Sequence, residues 1–133
     1  MKKSFIKKTV GVIGLGYVGL PLFKLISQKT KVSVLGFDID QLKIKSLKNN
    51  KSYISDISNE DIKKIHKKNL FSDFKKENVS KCDWLIFCLP TPLRNNRPDI
   101  SYIKKAFNLV LPNLRYNQTI ILESTVYPGA TKE

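Results

Sequence analysis

The amino-acid sequence predicts an α/β fold, a doubly wound parallel sheet in a single domain. Short β-branched, apolar runs alternate along the chain with segments of helical spacing. The first run, Thr9 to Ile13, leads into Gly14, Gly16 and Gly19 in G-x-G-x-x-G spacing. A carboxylate, Asp38, closes the second run 19 positions past Gly19. These are the parts of a Rossmann-type sheet, whose glycine turn and neighbouring acid receive a dinucleotide.

Each element has a local reason. Gly14 lets the chain leave the strand tightly, Gly16 lets bare backbone approach a pyrophosphate, and Gly19 lets the helix lie close on the sheet. Pro21 falls in the first helical turn, where a missing N–H costs nothing. Val18, Leu22, Leu25 and Ile26 follow at helical spacing, as one apolar face would. The start of that helix turns unpaired N–H groups and a positive dipole end toward phosphates. Val32 to Phe37 reads as the second strand. At its tip Asp38 is expected to accept from both ribose hydroxyls of an adenosine and to repel a 2′-phosphate, which favours NAD over NADP. The rival role for Asp38 is capping the next helix, a place that Asp40 fills better, just before Gln41 to Asn49.

In that next helix Ile44 and Leu47 face in and the lysines face out. Tyr53 to Ile57 reads as an apolar–polar loop. Ser58 then starts a helix, with Asp61 three residues on, a capping box with a shorter acid. Ile62 and Ile65 give it an apolar face with His66 at the edge. His66 is the only histidine and has no partner motif, so a surface role is expected. Leu70 to Ser72 reads as a short third strand and Asp73 to Lys81 as a polar connection. Trp84 to Leu89 is a continuous apolar run, as in a strand covered on both faces. Pro90-Thr91-Pro92-Leu93 breaks it, and Arg94 to Pro98 reads as a loop. Asp99 or Ser101 then caps a helix whose buried face is Ile103, Phe107, Val110, Leu111 and Leu114. Thr119 to Glu123 is the last strand, Ser124 to Gly129 the turn after it, and a further helix starts near Ala130. The polar motifs therefore gather at four strand ends, where ligands of such sheets lie.

Composition narrows the classes. A chain of 133 residues, 41% hydrophobic and 26% charged, suits one soluble globular domain. The net charge of +13 admits nucleic acid, a membrane surface or anionic small ligands. Its lysines are scattered in pairs such as Lys63-Lys64 and Lys104-Lys105, with no arginine-rich or aromatic-interleaved stripe. No nucleic-acid partner is expected, therefore. The rival reading, a basic nucleic-acid-binding module without catalysis, requires a steeply salt-dependent affinity. Cys82 and Cys88 make neither a metal pattern nor a disulfide framework, and no metal is expected. Basic Met1 to Lys8 before apolar Val10 to Phe23 mimics a signal peptide. The apolar run is too short for a bilayer and carries four glycines, so a cytoplasmic chain without a membrane segment is expected.

Five motifs then resemble a known family in order and spacing: VIGLGYVGLPL (12–22), GFDID (36–40), CLPTPL (88–93), RPDISYI (97–103) and LESTVYPGATKE (122–133). They are similar to the NAD-binding half of the UDP-glucose/GDP-mannose dehydrogenase family. SYISDI (52–57) and PTPLRNNRPDISYI (90–103) look most like the members that oxidise UDP-N-acetylglucosamine, with UDP-glucose and UDP-N-acetylmannosamine enzymes as near alternatives. The resemblance implies oxidation of the sugar C6 from alcohol to carboxylate for surface-polysaccharide precursors. NAD is the oxidant, and a cysteine thiolate carries the intermediate.

It also implies roles by matching position. Tyr17 and Val18 contact the pyrophosphate through backbone, Asp38 holds the adenosine ribose with Lys43 near it, and Thr91 lines the nicotinamide side. Thr125, with Ser124 beside it, sits at the nicotinamide and helps position the hydrolytic water, the one catalytic role implied here. Plainer roles stay open: Tyr17 and Val18 as packing residues, Lys43 as a solvated cation, Thr91 as a rigid loop residue, Thr125 as a helix cap. Neither Cys82 nor Cys88 stands in the nucleophile's motif. That cysteine, most UDP-sugar contacts and the long dimerisation helix belong to the later part of a full-length, homo-oligomeric enzyme. Residues 1–133 are thus expected to be a truncated NAD-binding domain that binds NAD without completing the oxidation.

Overall fold

A computed structural model describes residues 7–132, the side chain of Lys68 excepted. Met1 to Ile6 of the basic leader-like stretch lie outside the described residues. Five parallel strands run through the middle in the order β3-β2-β1-β4-β7, with β1 Thr9–Ile13, β2 Ser33–Phe37, β3 Leu70–Phe71, β4 Trp84–Phe87 and β7 Thr119–Leu122. Helices α1 Gly19–Lys29, α2 Gln41–Lys48, α3 Asn59–Lys63, α4 Lys76–Val79 and α5 Ser101–Val110 link them, and β5 Leu93–Arg94 pairs with β6 Arg97–Pro98 as a separate ribbon.

Strand alternation divides the apolar residues between two layers. Val10 and Val12 of β1 pack with Leu20 and Phe23 of α1 and with Ile44, Leu47, Ile62 and Ile65. Ile13 of β1 packs on the other side with Leu35, Phe37, Leu85, Phe87, Ala106 and Val110. This is the doubly wound sheet the sequence predicts. No helix among the described residues is long and apolar enough to cross a membrane.

Several local expectations are corrected. On α1, Leu20 and Phe23 are buried and the expected Leu22 and Ile26 pack half-buried against the same core, whereas Leu25, and Val18 at the N-cap, are exposed. The rotation follows from Gly19: the residue pressed on the glycine turn must face the sheet, and the positions one and four beyond it turn inward with it. The connection 73–81 is not merely polar. It contains α4, and buried Phe74 stacks on Phe37 with ring centroids 5.6 Å apart. On β4, Leu85 and Phe87 are buried but Trp84 is exposed and Ile86 half-buried, so one face of that strand is only partly covered. Residues 94–98 form a hairpin and not a loop. Asn95 and Asn96 make its turn with φ of 52° and 58°, the left-handed pair of a two-residue connection. Helix α5 ends at Val110 in a 3₁₀ turn, Leu111–Asn113, which breaks the helical period and leaves Leu111 exposed while Ala106 is buried. Ile100 is the N-cap of α5, and Asp99 accepts from the N–H of Ser101. His66 lies exposed past the end of α3.

Two acids tie the frame together. Asp61 completes the capping box with Ser58 and pairs with Lys24 of α1 at 2.9 Å, which lowers its pKa from an ordinary 3.8 to about 2, Lys24 being the larger cause. Asp83 accepts from Thr9 N–H at 2.9 Å and from Arg115 at 3.0 Å, and the backbone bond is the larger cause of its lowered pKa. A carboxylate held below its unfolded value stabilises above that value, and the contribution fades as pH falls through the folded value. The melting temperature is therefore expected to drop between about pH 4 and pH 2. Asp83→Asn and Asp61→Asn should each flatten that acid limb, a slope that calorimetry against pH reads directly.

Candidate functional site

The first turn is built around Gly14, whose φ of 91° lies in the left-handed region. Its N–H donates to Phe37 O at 2.8 Å, tying the end of β1 to the end of β2. A Cβ on Gly19 would stand 1.7 Å from Gly14 O, so the helix rests directly on the turn's backbone. Gly16 differs from both. It does not have a positive φ, and a Cβ there would meet nothing within 4 Å. The protein itself leaves that space open.

Helix α1 starts beside this space with no side-chain cap and no acid in its first turn. Tyr17, 76% exposed, and Val18, 59% exposed, flank it, so neither is the packing residue that its plainer role requires.

Asp38 stands at the tip of β2, 6% exposed. Its Oδ2 accepts from Leu15 N–H and its Oδ1 from Asp40 N–H, both at 2.8 Å, while Lys43 Nζ lies 3.8 Å from Oδ2. Asp40 is the helix cap, accepting from Leu42 and Lys43 N–H groups. Each carboxylate oxygen of Asp38 keeps a further lone pair for an incoming donor. Lys43 is thus held toward Asp38 and does not point away as a free surface cation.

Tyr53 completes this arrangement, and sequence reasoning missed it. Its hydroxyl donates to Leu15 O at 2.6 Å, and Lys43 Nζ lies 5.9 Å from its ring centroid. Burial, then the nearby charges of Asp38 and Asp40, push the phenol above its ordinary pKa, so it remains a donor. Leu15 in the glycine turn is therefore gripped through its N–H by Asp38 and through its C=O by Tyr53. Tyr53 stands in the sequence within an apolar–polar loop and in the SYISDI stretch, but nothing there indicates a partner 38 positions away. Tyr53→Phe is expected to cost about 1 kcal/mol by loss of one part-buried hydrogen bond. A urea titration checks the figure.

The other wall comes from β4 and β7. Ser124 Oγ accepts from Leu89 N–H at 2.9 Å and donates to Phe87 O at 3.3 Å, stitching the two strand ends. Glu123 N–H donates to Phe87 O at 3.0 Å. Gly16, Tyr17, Val18, Lys43, Thr91, Ser124 and Thr125 all line one hollow of about 370 Å³, together with Cys88, Leu89, Pro90 and Glu123. Thr125 is exposed at its rim and Thr91 half-buried. Thus the structure gathers the predicted residues around the strand carboxyl ends, with Asp38 just behind Lys43. Wider hollows lie elsewhere; one of about 960 Å³ faces Thr9, Val32 and Ser33 at the amino ends of β1 and β2.

Neither cysteine is poised as a nucleophile. Burial, with Glu123 adding, pushes the Cys88 thiol up to about 11, and burial, with Asp83 adding, pushes Cys82 up to about 12. Both are buried free thiols. A neutral thiol is a poor attacking group.

Comparison with known proteins agrees with this geometry. Residues 8–133 match the family model described as the UDP-glucose/GDP-mannose dehydrogenase family, NAD binding domain. Protein CapL of Staphylococcus aureus is 37% identical over 127 residues, covering 95% of this chain and 29% of its own length. A UDP-N-acetyl-D-glucosamine 6-dehydrogenase of Pseudomonas aeruginosa is 36% identical over 125 residues, covering 93% and 29%. Among solved structures, the UDP-N-acetyl-mannosamine dehydrogenase Cap5O from Staphylococcus aureus superposes with a TM-score of 0.80 at 29% identity, over 95% of this chain and 31% of that one. The ternary complex of a GDP-mannose dehydrogenase from Pseudomonas aeruginosa gives 0.80 at 27% identity, over 93% and 30%. The chain thus spans about three tenths of the length of these relatives.

Proposed function

From the premise that this chain belongs to the UDP-glucose/GDP-mannose dehydrogenase family and carries its NAD binding domain, we propose that the hollow at the glycine turn is its NAD site. Within it, Gly16 is the observation that carries the reading. Glycine there is required neither by φ nor by any neighbour, and the space its missing side chain leaves adjoins the uncapped start of α1. Such a space suits the close approach of a pyrophosphate. NAD, when bound, supplies the hydride acceptor for an alcohol oxidation.

The chain's own residues divide the work of holding it. Backbone at Gly16, Tyr17 and Val18 takes the diphosphate, with Gly14 and Gly19 fixing the turn. Asp38 accepts from the adenosine ribose hydroxyls through its spare lone pairs, and Lys43 keeps that carboxylate oriented. Thr91 borders the nicotinamide side. Ser124, already bonded to Leu89 and Phe87, shapes the wall, and the exposed Thr125 hydroxyl positions water or substrate at the rim.

The substrate reading is finer: oxidation at C6 of UDP-N-acetylglucosamine or a closely related nucleotide sugar, toward surface-polysaccharide precursors. The 36% identity to a UDP-N-acetyl-D-glucosamine 6-dehydrogenase supports it. A relative named UDP-N-acetyl-D-mannosamine dehydrogenase, at 33% identity, keeps the mannosamine sugar as the second reading. Because Cys82 and Cys88 are buried neutral thiols, the thiolate for that chemistry comes from outside residues 7–132. The 133 residues are the cofactor-binding part of the reaction and do not turn over alone.

Calorimetric titration of the chain with NAD and NADP tests the assignment. Binding of NAD with weaker binding of NADP, and a melting point that climbs with NAD concentration, is expected. A folded sample that gives no heat with millimolar NAD overturns it.

A further inference from the structure

Only three arginines occur among the 24 basic residues of this chain. Arg115 is employed inside the fold, its guanidinium donating to Ser80 O, Cys82 O and Asp83. The other two stand directly opposite each other, Arg94 on β5 and Arg97 on β6. Opposed side chains of an antiparallel pair share one face, with Cβ atoms about 5 Å apart, and like charges placed so destabilise it. The ribbon gives them little room to separate. Its two-residue turn is fixed by Asn95 and Asn96, and Asp99 N–H donates to Pro92 O at 2.8 Å across its base.

Both arginines are exposed, and neither makes an ion pair among the described residues. Asp99 feels the charge of Arg94, but its carboxylate is bonded first to Ser101. Neither arginine lines the hollow at the glycine turn. A tight hairpin thus holds two cations together, with no ion pair to either among the described residues, outside the cofactor cradle and on the loop that leaves it.

We propose that Arg94 and Arg97 clamp a diphosphate other than the cofactor's own. Guanidinium forks bind phosphoryl oxygens in bidentate fashion. Two forks side by side match two linked phosphoryl groups, whose combined negative charge turns the mutual repulsion into attraction. A single carboxylate leaves one cation unmatched. This goes beyond the NAD assignment and does not depend on it.

The test uses the whole chain with its arginine side chains labelled with nitrogen-15, saturated with NAD, and titrated with inorganic pyrophosphate and separately with UDP. The Nε–Hε resonances of Arg94 and Arg97 are expected to move while that of Arg115 stays. In Arg94→Gln/Arg97→Gln the affinity should fall at least about tenfold. A second readout does not need a bound-state spectrum. In chloride alone, Arg97→Gln should melt about 1–4 °C higher than the parent, since it relieves the repulsion. In millimolar pyrophosphate that order should reverse. UDP and pyrophosphate moving the same resonances identifies a nucleotide diphosphate as the source, and pyrophosphate alone a free one. Unchanged affinity in the double variant, equal movement of Arg115, or abolition of the shifts by NAD overturns the clamp. Absence of NAD binding in the same sample counts against the cofactor site, and the pyrophosphate titration still reads the arginines.

Discussion

Gly19→Ala is expected to unfold the chain, and Gly16→Ala to leave it folded and unable to hold NAD. The two glycines lie three positions apart in one motif, yet their surroundings are opposite. A methyl group at Gly19 would lie 1.7 Å from Gly14 O, 2.9 Å from the Gly14 carbonyl carbon and 3.1 Å from the Cys88 Cβ. The nearest of these is the carbonyl of the Gly14–Leu15 peptide, whose N–H is bonded to Asp38, so it cannot swing aside as a flexible side chain does. Relief requires lifting α1 off the sheet and with it Leu20 and Phe23, both essentially buried. Overpacking against fixed backbone belongs among the severe cases, about 4 kcal/mol or more, which is comparable to the whole stability of a small domain. At Gly16 the added methyl meets nothing, and replacing a glycine of permitted φ stabilises by up to about 1 kcal/mol through the unfolded chain. The same methyl occupies the space assigned to the diphosphate. A clash of about 2 kcal/mol there weakens NAD roughly thirtyfold. Far-UV circular dichroism separates the first outcome from the second, and calorimetry with NAD measures the second. Equal NAD affinity in Gly16→Ala would remove the observation on which the cofactor site rests.

Asp38→Ala is the second large effect, and it acts on the fold and the ligand together. The carboxylate accepts two backbone N–H groups, Leu15 and Asp40, from almost complete burial. Deleting it strands both donors, at about 1–3 kcal/mol for each. A total near 3 kcal/mol shifts a urea midpoint plainly. Asp38→Asn separates the two roles. It keeps an acceptor oxygen for one N–H but loses the charge and one pair of acceptors, so stability falls by about 1 kcal/mol. Affinity for NAD should fall about tenfold, because a ribose hydroxyl loses a charge-assisted bond. Discrimination against NADP should narrow in the same variant, since the repulsion of the 2′-phosphate goes with the charge. If Asp38→Asn binds NAD as the parent does, the carboxylate is a structural brace for the glycine turn and nothing more.

Much of this was legible from local chemistry. A β-branched run before glycines can hardly be anything but a strand entering a turn, and Ser58 with Asp61 did announce a capping box. The strand ends that carry polar motifs were readable for the same reason, because short apolar runs bounded by glycine, proline and acids mark where a sheet stops. What failed were judgements that need a rotation or a partner. Spacing alone places Leu22 and Ile26 against the core but not Val18 and Leu25, which are exposed, because the stripe that Gly19 sets is led by Leu20 and Phe23. The hairpin at Asn95 and Asn96 reads as a loop in the sequence because its strands are only two residues long, although paired asparagines are themselves a left-handed signal.

Local chemistry sets the main strands, the glycine turn after β1 and the acid that ends β2, because each is marked by residues within its own few positions. Packing, by contrast, makes Tyr53 grip Leu15, spends Ser124 on joining β4 to β7 and shuts Cys82 away. Those facts depend on distances between residues brought together by packing. Backbone preference acts over one or two turns, whereas burial and hydrogen bonding across 35 or 38 positions are settled only when the layers close.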